Sequence, residues 1–462
     1  MNTYDLMKKY VASQAIDYAL SLLAKDPQRN LVTLTRILEL FAGGPNEKQQ
    51  IQMARKAFED PNHIWTKLAE RGFSQLHESY RTRGLVNLFI NEAYMGQQER
   101  KLRAEELGTP VPSLIVISPT MRCNLDCTGC YAGRYSKEGE IDEATLDRII
   151  SEGKELGIYF FVISGGEPFL REDLLSIAEK HDDAVFMVYT NGTLIDEHLA
   201  RRLAELGNIS PAISLEGMEA ETDARRGPGT FKTVMKAMDN LRAAGAVFGF
   251  SATYTRANTE ALTDEAFIDM LIDKGAMYGW FFMLIPVGKD DDINLMCTPA
   301  QRDTMRRHVI NLRKTKPIFV IDFWNDGPMV SGCMAGGRSY LHINAHGDIE
   351  PCVFVHFAVD NIKNTTLKQA LTSPYFMDIK AKMPLNDNHL RPCMIVDNPH
   401  ILRDVVCRHG ARPTHENAES VITVLADDLD KYANDYGELA ETAWEREYVT
   451  GQAQRTHSPQ RE

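Results

Sequence analysis

The hydrophobic pattern changes character twice along the chain. Up to residue 108, apolar positions recur at i, i+3 and i+4, as in "ASQAIDYALSLLAKDP" and "LVTLTRILELFAGG". That is the periodicity of amphipathic helices. "FAGG" and "EDPN" supply stop and turn residues. "INEAYMGQQERKLRAEELG" continues as a charged helix ending at Gly108. No period-two strand stands out here. The stretch reads as a helical packing or oligomerisation domain, with a substrate-delivery or lid domain as the sharper alternative. "GLVNLFINEAYMGQQERKLR" can be read as a core helix or as a membrane-surface helix. "TPVPS" reads as a linker.

From residue 113 short apolar runs alternate with amphipathic stretches. "SLIVISPT", "YFFVISGG", "VFMVYTNG", "ISPAISLEG", "VFGFSATYT" and "YGWFFMLIPVG" are each followed by a polar or helix-like segment. Six strand–helix units of this kind predict parallel strands buried on both faces. The expected fold is α/β, a partial (β/α)6 TIM-like barrel. In such barrels chemistry collects on the loops after the strands. "CNLDCTGCYAG", "GGEP", "TNGT" and "SLEG" all fall there.

From about 318 the pattern changes again. "IFVIDFW" can be a seventh strand, and "SYLHINAHGDIEPCVF" reads as a hairpin about "NAHG". Residues 415–447 look helical and acidic, and "GQAQRTHSPQRE" looks like a frayed tail. The expected units are a helical domain over 1–110, the partial barrel over 111–316, a cysteine-bearing extension over 317–414 and an acidic helical segment over 415–462.

Charge narrows the function. Lys and Arg total 51 against 64 Asp and Glu, a net charge of −13 over 462 residues. That argues against general nucleic-acid binding. The first residues lack a signal-peptide pattern, and no apolar run is long enough to span a bilayer. A cytoplasmic protein without a transmembrane segment is expected. Eight cysteines in such a chain point to metal or catalysis rather than to disulfides.

Three of them, Cys123, Cys127 and Cys130, stand at C-x3-C-x2-C spacing with Tyr131 directly after. A structural zinc site closes with four ligands. A 4Fe–4S cluster on three thiolates keeps one iron open for a small molecule. With this motif the chain resembles the radical S-adenosylmethionine (SAM) superfamily. The resemblance implies that the open iron is chelated by SAM, which is reductively cleaved to a 5′-deoxyadenosyl radical that abstracts hydrogen from a substrate. "GGEP" (Gly165, Gly166, Glu167) resembles the family segment that holds the SAM ammonium. Ser214 and Arg226 resemble its serine–arginine pair for the SAM carboxylate, with Arg225 an equal candidate. Asn191 matches a position near the cofactor. The usual "SLDG" reads "SLEG" here, so a role for Glu216 is open.

Cys333, Cys352, Cys393 and Cys407 lie beyond the barrel. The spacing of the first two through Gly347 resembles the opening of SPASM and twitch domains. Four thiolates imply one further 4Fe–4S cluster, with a four-cysteine zinc site as the alternative. Cys297 reads as a free packed thiol. Asp322, Trp324 and Asp326 are either a turn or the source of a general acid or base. The expected activity is a radical SAM oxidoreductase. A radical SAM transferase and a non-catalytic metal scaffold are the alternatives. A flavodoxin or ferredoxin is the expected electron donor, and the substrate is not specified by the sequence.

Overall fold

The computed structural model describes residues 27–41 and 44–450. The helix expected in "ASQAIDYALSLLAKDP", up to Asp26, and the tail from Gly451 lie outside the described residues.

The parallel strands are β1 (Leu114–Thr120), β2 (Phe160–Gly165), β3 (Val185–Thr190), β4 (Ile209–Leu215), β5 (Gly249–Tyr254), β6 (Tyr278–Met283) and β7 (Phe319–Asp322). Each pairs in parallel with the next. β8 (Tyr340–Ile343) then returns to pair with β1, also in parallel, and β9 (Asp348–Glu350) folds back on β8 about Asn344–Gly347. Sheet order places β8 and β7 on opposite sides of the β1–β6 run, with no ladder between them. The barrel therefore keeps a seam between its seventh and eighth strands. The expected partial barrel is present, and the sheet continues beyond six strands.

Burial on both faces explains the continuous apolar strands. In β1 only Leu114 is more than marginally accessible. The intervening helices show one buried stripe each. In Glu143–Glu155 it is Leu146, Ile149, Ile150 and Gly153, and Asp142 caps the start by accepting from the Thr145 N–H at 2.7 Å. In Glu197–Leu206 it is Ala200, Leu203, Ala204 and Leu206, capped by Asp196.

The N-terminal segment is helical as expected: Pro27–Phe41, Pro45–Glu59, Ile64–Gln75 and Gln97–Leu107, the last stopping at left-handed Gly108. It grips the barrel at the N-terminal ends of the strands, opposite the cysteine loop. Arg71 donates to the carbonyls of Pro317 (2.7 Å) and Ile272 (2.9 Å). The Tyr80 hydroxyl donates to the Ile209 carbonyl, Asn87 to those of Asp182 and Ala184, and Arg100 to that of Gly157. Carbonyls at helix ends, in loops and at strand starts on this side are thereby satisfied. Asn87, Ile90, Glu92 and Gly96 of this stretch are buried, Ile90 among the N-terminal helices, while Leu88 and Phe89 are exposed.

Behind the barrel, Ala426–Trp444 packs on Pro299–Thr315. Fully buried Arg302 binds Asp397 with two nitrogens (2.7 and 3.1 Å) and stacks on Tyr436 at 3.7 Å.

Candidate active site

The loop after β1 carries the first three cysteines to the C-terminal mouth of the barrel. Cys123, Cys127, Cys130, Tyr131, Gly165, Gly166, Asn191, Ser214 and Arg226 all line one cavity of about 200 Å³. Arg225 lines it too. Residues expected from four separate loops are thus brought together.

Two glycines make the crossing possible. A Cβ on Gly165 would lie 2.3 Å from the Thr120 carbonyl oxygen, and its φ of +113° suits glycine alone. A Cβ on Gly166 would lie 2.1 Å from the Arg122 carbonyl oxygen. The Gly166 N–H donates to Thr120 O and the Glu167 N–H to Arg122 O, so the β2 turn is stitched to the start of the cysteine loop. The Tyr131 hydroxyl sits 2.7 Å from Ser164 Oγ and accepts from the Gly165 N–H.

Gly165 and Gly166 of the expected GGEP segment line the cavity, while the Glu167 side chain is fully buried behind it. Its oxygens accept from the N–H of Phe169, the hydroxyl of Thr190 and the N–H of Asn191 at 2.7–3.0 Å. These three bonds hold the β2 and β3 turns together. Burial raises its pKa, and those donors oppose the shift. Asn191, so placed, donates to Asn124 Oδ1 at 2.8 Å and lies 3.8 Å from Cys123 Sγ. Asn124 in turn donates to Thr193.

Glu216 acquires a role that the sequence left open. Its Oε1 accepts from Arg225 at 2.6 Å and from Arg226 Nε at 2.8 Å, and its Oε2 from the Thr253 N–H at 3.2 Å. Two guanidiniums share one buried carboxylate, which leaves one net positive charge in the cavity wall. Arg225 also donates to the carbonyls of Thr128 and Gly129, between two of the cysteines. Arg226 Nη1 lies 4.0 Å from Cys127 Sγ. On the other side Lys289 N donates to Cys130 O, and Gly129 N to Asp290. That brace from the loop after β6 was not foreseen; Gly288 in "PVGKDDD" was its signal, since a Cβ there would strike the Tyr131 carbonyl.

A second cavity, of about 310 Å³, fills the seam between β7 and β8 and contains Cys333, Cys352 and Cys393. Burial pushes the Cys352 thiol up to about 12, and the Tyr340 hydroxyl lies 2.8 Å from its sulfur. Cys407 does not join them. It is exposed near the end of helix Pro399–His409 and does not line the cavity. Three of the four expected thiols therefore share this cavity. Widely spaced cysteines carry no geometric constraint in sequence, and the helix turns this one outward. Cys297 is buried elsewhere, 3.9 Å from the Tyr432 hydroxyl. Asp322 lines neither cavity; it accepts from Asn325 and its own N–H donates to Asp326, which is the turn reading.

Among the described residues no three His, Cys, Asp or Glu are close enough to hold a single metal ion. Burial raises the pKa of Cys123 and Cys127 in the unligated chain, so loading must displace protons. The donor set of the first cavity fits a three-thiolate cluster, which Cys123, Cys127 and Cys130 would hold beside Gly165, Gly166, Arg225 and Arg226.

Comparison with known proteins gives the same picture. The model of the radical SAM superfamily matches residues 117–269, and that of an iron–sulfur cluster-binding domain, SPASM, matches 333–394. The chain is 26% identical to an AdoMet-dependent heme synthase of Methanosarcina barkeri, over 56% of this chain and 82% of that protein. It is 31% identical to the mycofactocin maturase MftC of Mycobacterium ulcerans, over 55% and 72% respectively. The crystal structure of Streptococcus suis SuiB bound to S-adenosylmethionine superposes with a TM-score of 0.54 at 19% identity, over 78% of this chain and 79% of that one. That likeness is one of fold.

Proposed function

This chain belongs to the radical SAM superfamily and is an enzyme of it, and we propose that SAM binds in the cavity beneath the cysteine loop to drive hydrogen abstraction from a substrate. The family uses a 4Fe–4S cluster and SAM, and the second matched domain is one that binds iron–sulfur clusters. Cys123, Cys127 and Cys130 would hold the first cluster. When bound, it would supply one electron to the SAM sulfonium, and the 5′-deoxyadenosyl radical released would take a hydrogen atom from the substrate.

The observation that carries this reading is the convergence of three thiols, the Gly165–Gly166 backbone, Ser214 and the two arginines on one cavity. The residues divide the work. Gly165 and Gly166 let main chain approach a ligand closely. The net positive wall of Arg225 and Arg226 suits the SAM carboxylate. Glu167 fixes the β2 and β3 turns that present Asn191. Aromatic walls from Trp280, Phe282 and Phe323 exclude water from a reactive radical. Cys333, Cys352 and Cys393 would hold the second cluster.

An electron donor and a substrate are needed, and a flavodoxin or ferredoxin is proposed for the first. The named relatives carry different activities, so the reaction outcome does not follow from them. The test is anaerobic. Reconstituted protein is assayed for iron, sulfide and 5′-deoxyadenosine with dithionite and SAM, beside a Cys123, Cys127, Cys130 triple alanine variant. Cleavage lost only in the variant supports the reading. Zinc in place of iron, or no 5′-deoxyadenosine from loaded wild type, would favour a metal scaffold.

A further inference from the structure

Cys393 is held by a closed turn of its own loop. The Cys393 N–H donates to Asp397 Oδ2 at 3.0 Å, and the Asp397 N–H returns to the Cys393 carbonyl at 3.1 Å. The Asn398 N–H adds a second bond to that carbonyl at 2.9 Å. Within the turn the Ile395 N–H donates to Cys393 Sγ at 3.3 Å. The side chain of Asp397 therefore decides where this sulfur and its one backbone donor stand.

Asp397 is itself anchored from the barrel. Its carboxylate takes two nitrogens of Arg302, and neither residue is more than 2% exposed. Arg302 Nη2 also donates to the Leu390 carbonyl at 3.2 Å, and its Nε to Asn325 Oδ1, in the turn after β7, at 3.1 Å. Tyr436, stacked on the guanidinium, donates its hydroxyl to the same Asn325 oxygen at 3.3 Å. One cation thus ties the Cys393 turn to the barrel and to helix Ala426–Trp444. Arg302, Asp397 and Tyr436 all lie outside the matched segments 117–269 and 333–394. A buried ion pair returns little net stability, but in a low-dielectric interior its charges act strongly on their neighbours.

We propose that Arg302 and Asp397 are positioning residues for the second cluster, fixing the Cys393 turn and setting the reduction potential of a cluster held there. This rests on the reading above in which Cys393 holds that cluster. Cluster potentials follow net charge and hydrogen bonds to the sulfurs. The Asp397 carboxylate, bonded to the Cys393 backbone, opposes added negative charge on the cluster. Arg302 offsets it. Removing one charge or the other must then move the potential in opposite directions, a pattern that a purely structural pair has no reason to show.

The test is an anaerobic redox titration of reconstituted full-length protein, followed by electron paramagnetic resonance. The Cys123, Cys127, Cys130 triple alanine background leaves only the second cluster to contribute. Asp397→Asn should raise the potential and Arg302→Met lower it. Each shift should be worth tenfold in the ratio of reduced to oxidised cluster, about 59 mV for one electron. Arg302→Lys keeps the charge and should stay near the parent value. The double variant Arg302→Met, Asp397→Asn leaves no unpaired buried charge and should fall between the two singles. Where Arg302→Met alone does not fold, the downward shift is read from the double variant against Asp397→Asn. Unmoved potentials, or shifts of one sign in both singles, overturn the proposal and leave Cys393 as a ligand. A cluster signal that survives in Cys393→Ala, or none in the parent protein, overturns the ligand reading and this proposal with it.

Discussion

Arg225 and Arg226, adjacent in the chain, converge on the single carboxylate of Glu216, which has no exposed surface. Replacing that carboxylate by an amide leaves two guanidiniums partly buried against a neutral group. Glu216→Gln should cost about 3–5 kcal/mol of stability, the usual loss when a buried ion pair is broken from one side. Apparent SAM affinity should fall about tenfold, about 1.4 kcal/mol, because both arginines lose their anchor. Urea unfolding of the anaerobic protein and SAM titration followed by electron paramagnetic resonance would measure the two effects. Unchanged affinity would show that neither arginine meets the cofactor.

Gly166 has less room than any side chain needs. Gly166→Ala drives a methyl group into the Arg122 carbonyl, so the β2 turn must part from the cysteine loop. About 1–3 kcal/mol of strain is expected, as for an overpacked site. Iron content should fall together with SAM binding, since the displaced strand carries the approach to Cys123. Retained iron with normal SAM cleavage would refute the tight crossing.

Cys407 separates the two ways of counting ligands. Cys407→Ala should keep the full iron complement, because the thiol lies outside the seam cavity. Cys333→Ala, Cys352→Ala and Cys393→Ala should each lose about half of the iron, the share of one of two 4Fe–4S clusters. Iron and sulfide analysis after reconstitution decides it. Loss of a cluster in Cys407→Ala would require the helix Pro399–His409 to turn its last residues inward.

Asp322 gives a pH signature. Burial raises its pKa from 3.8 to about 6, with the nearby Asp326 charge adding to the shift. The folded state then binds more protons than the unfolded state between pH 4 and pH 6. Asp322 therefore loses the protein stability as pH rises through that window, about 3 kcal/mol in all for a shift of about two pH units. Asp322→Asn removes the titration. The stability difference between variant and wild type should move in the variant's favour from pH 4 to pH 7. A constant difference across that range would show that Asp322 ionises normally.

Much of this architecture was legible in the residues. Apolar runs of six or seven residues between capped helices announced the barrel, and the C-x3-C-x2-C loop stood after β1 as chemistry on such a fold requires. What the sequence could not carry was long-range geometry. Glu167 sits in a motif associated with the cofactor, yet two of its three donors come from the end of β3, beyond the reach of any local pattern. The pairing of Glu216 with Arg225 and Arg226 spans a turn and a helix, and residue spacing alone left the choice between the arginines open. The eighth parallel strand was visible only as half of a hairpin, because its partner β1 lies more than two hundred residues away in the chain. Cys407 matched in residue type and failed in direction.

The grip of the N-terminal segment on the barrel floor also sets an order of assembly. Arg71 is synthesised early, yet its carbonyl partner Pro317 follows 246 residues later. Arg71 meets the Ile272 carbonyl 201 residues on, but its full set of acceptors is present only once Pro317, just before β7, has emerged. Any chain truncated before residue 317 would leave this surface open, as would one whose strands paired out of register. Such a chain would present exposed helix and unpaired strand edge to chaperones and proteases. The clamp thus closes fully only when the start of the seventh strand is in place.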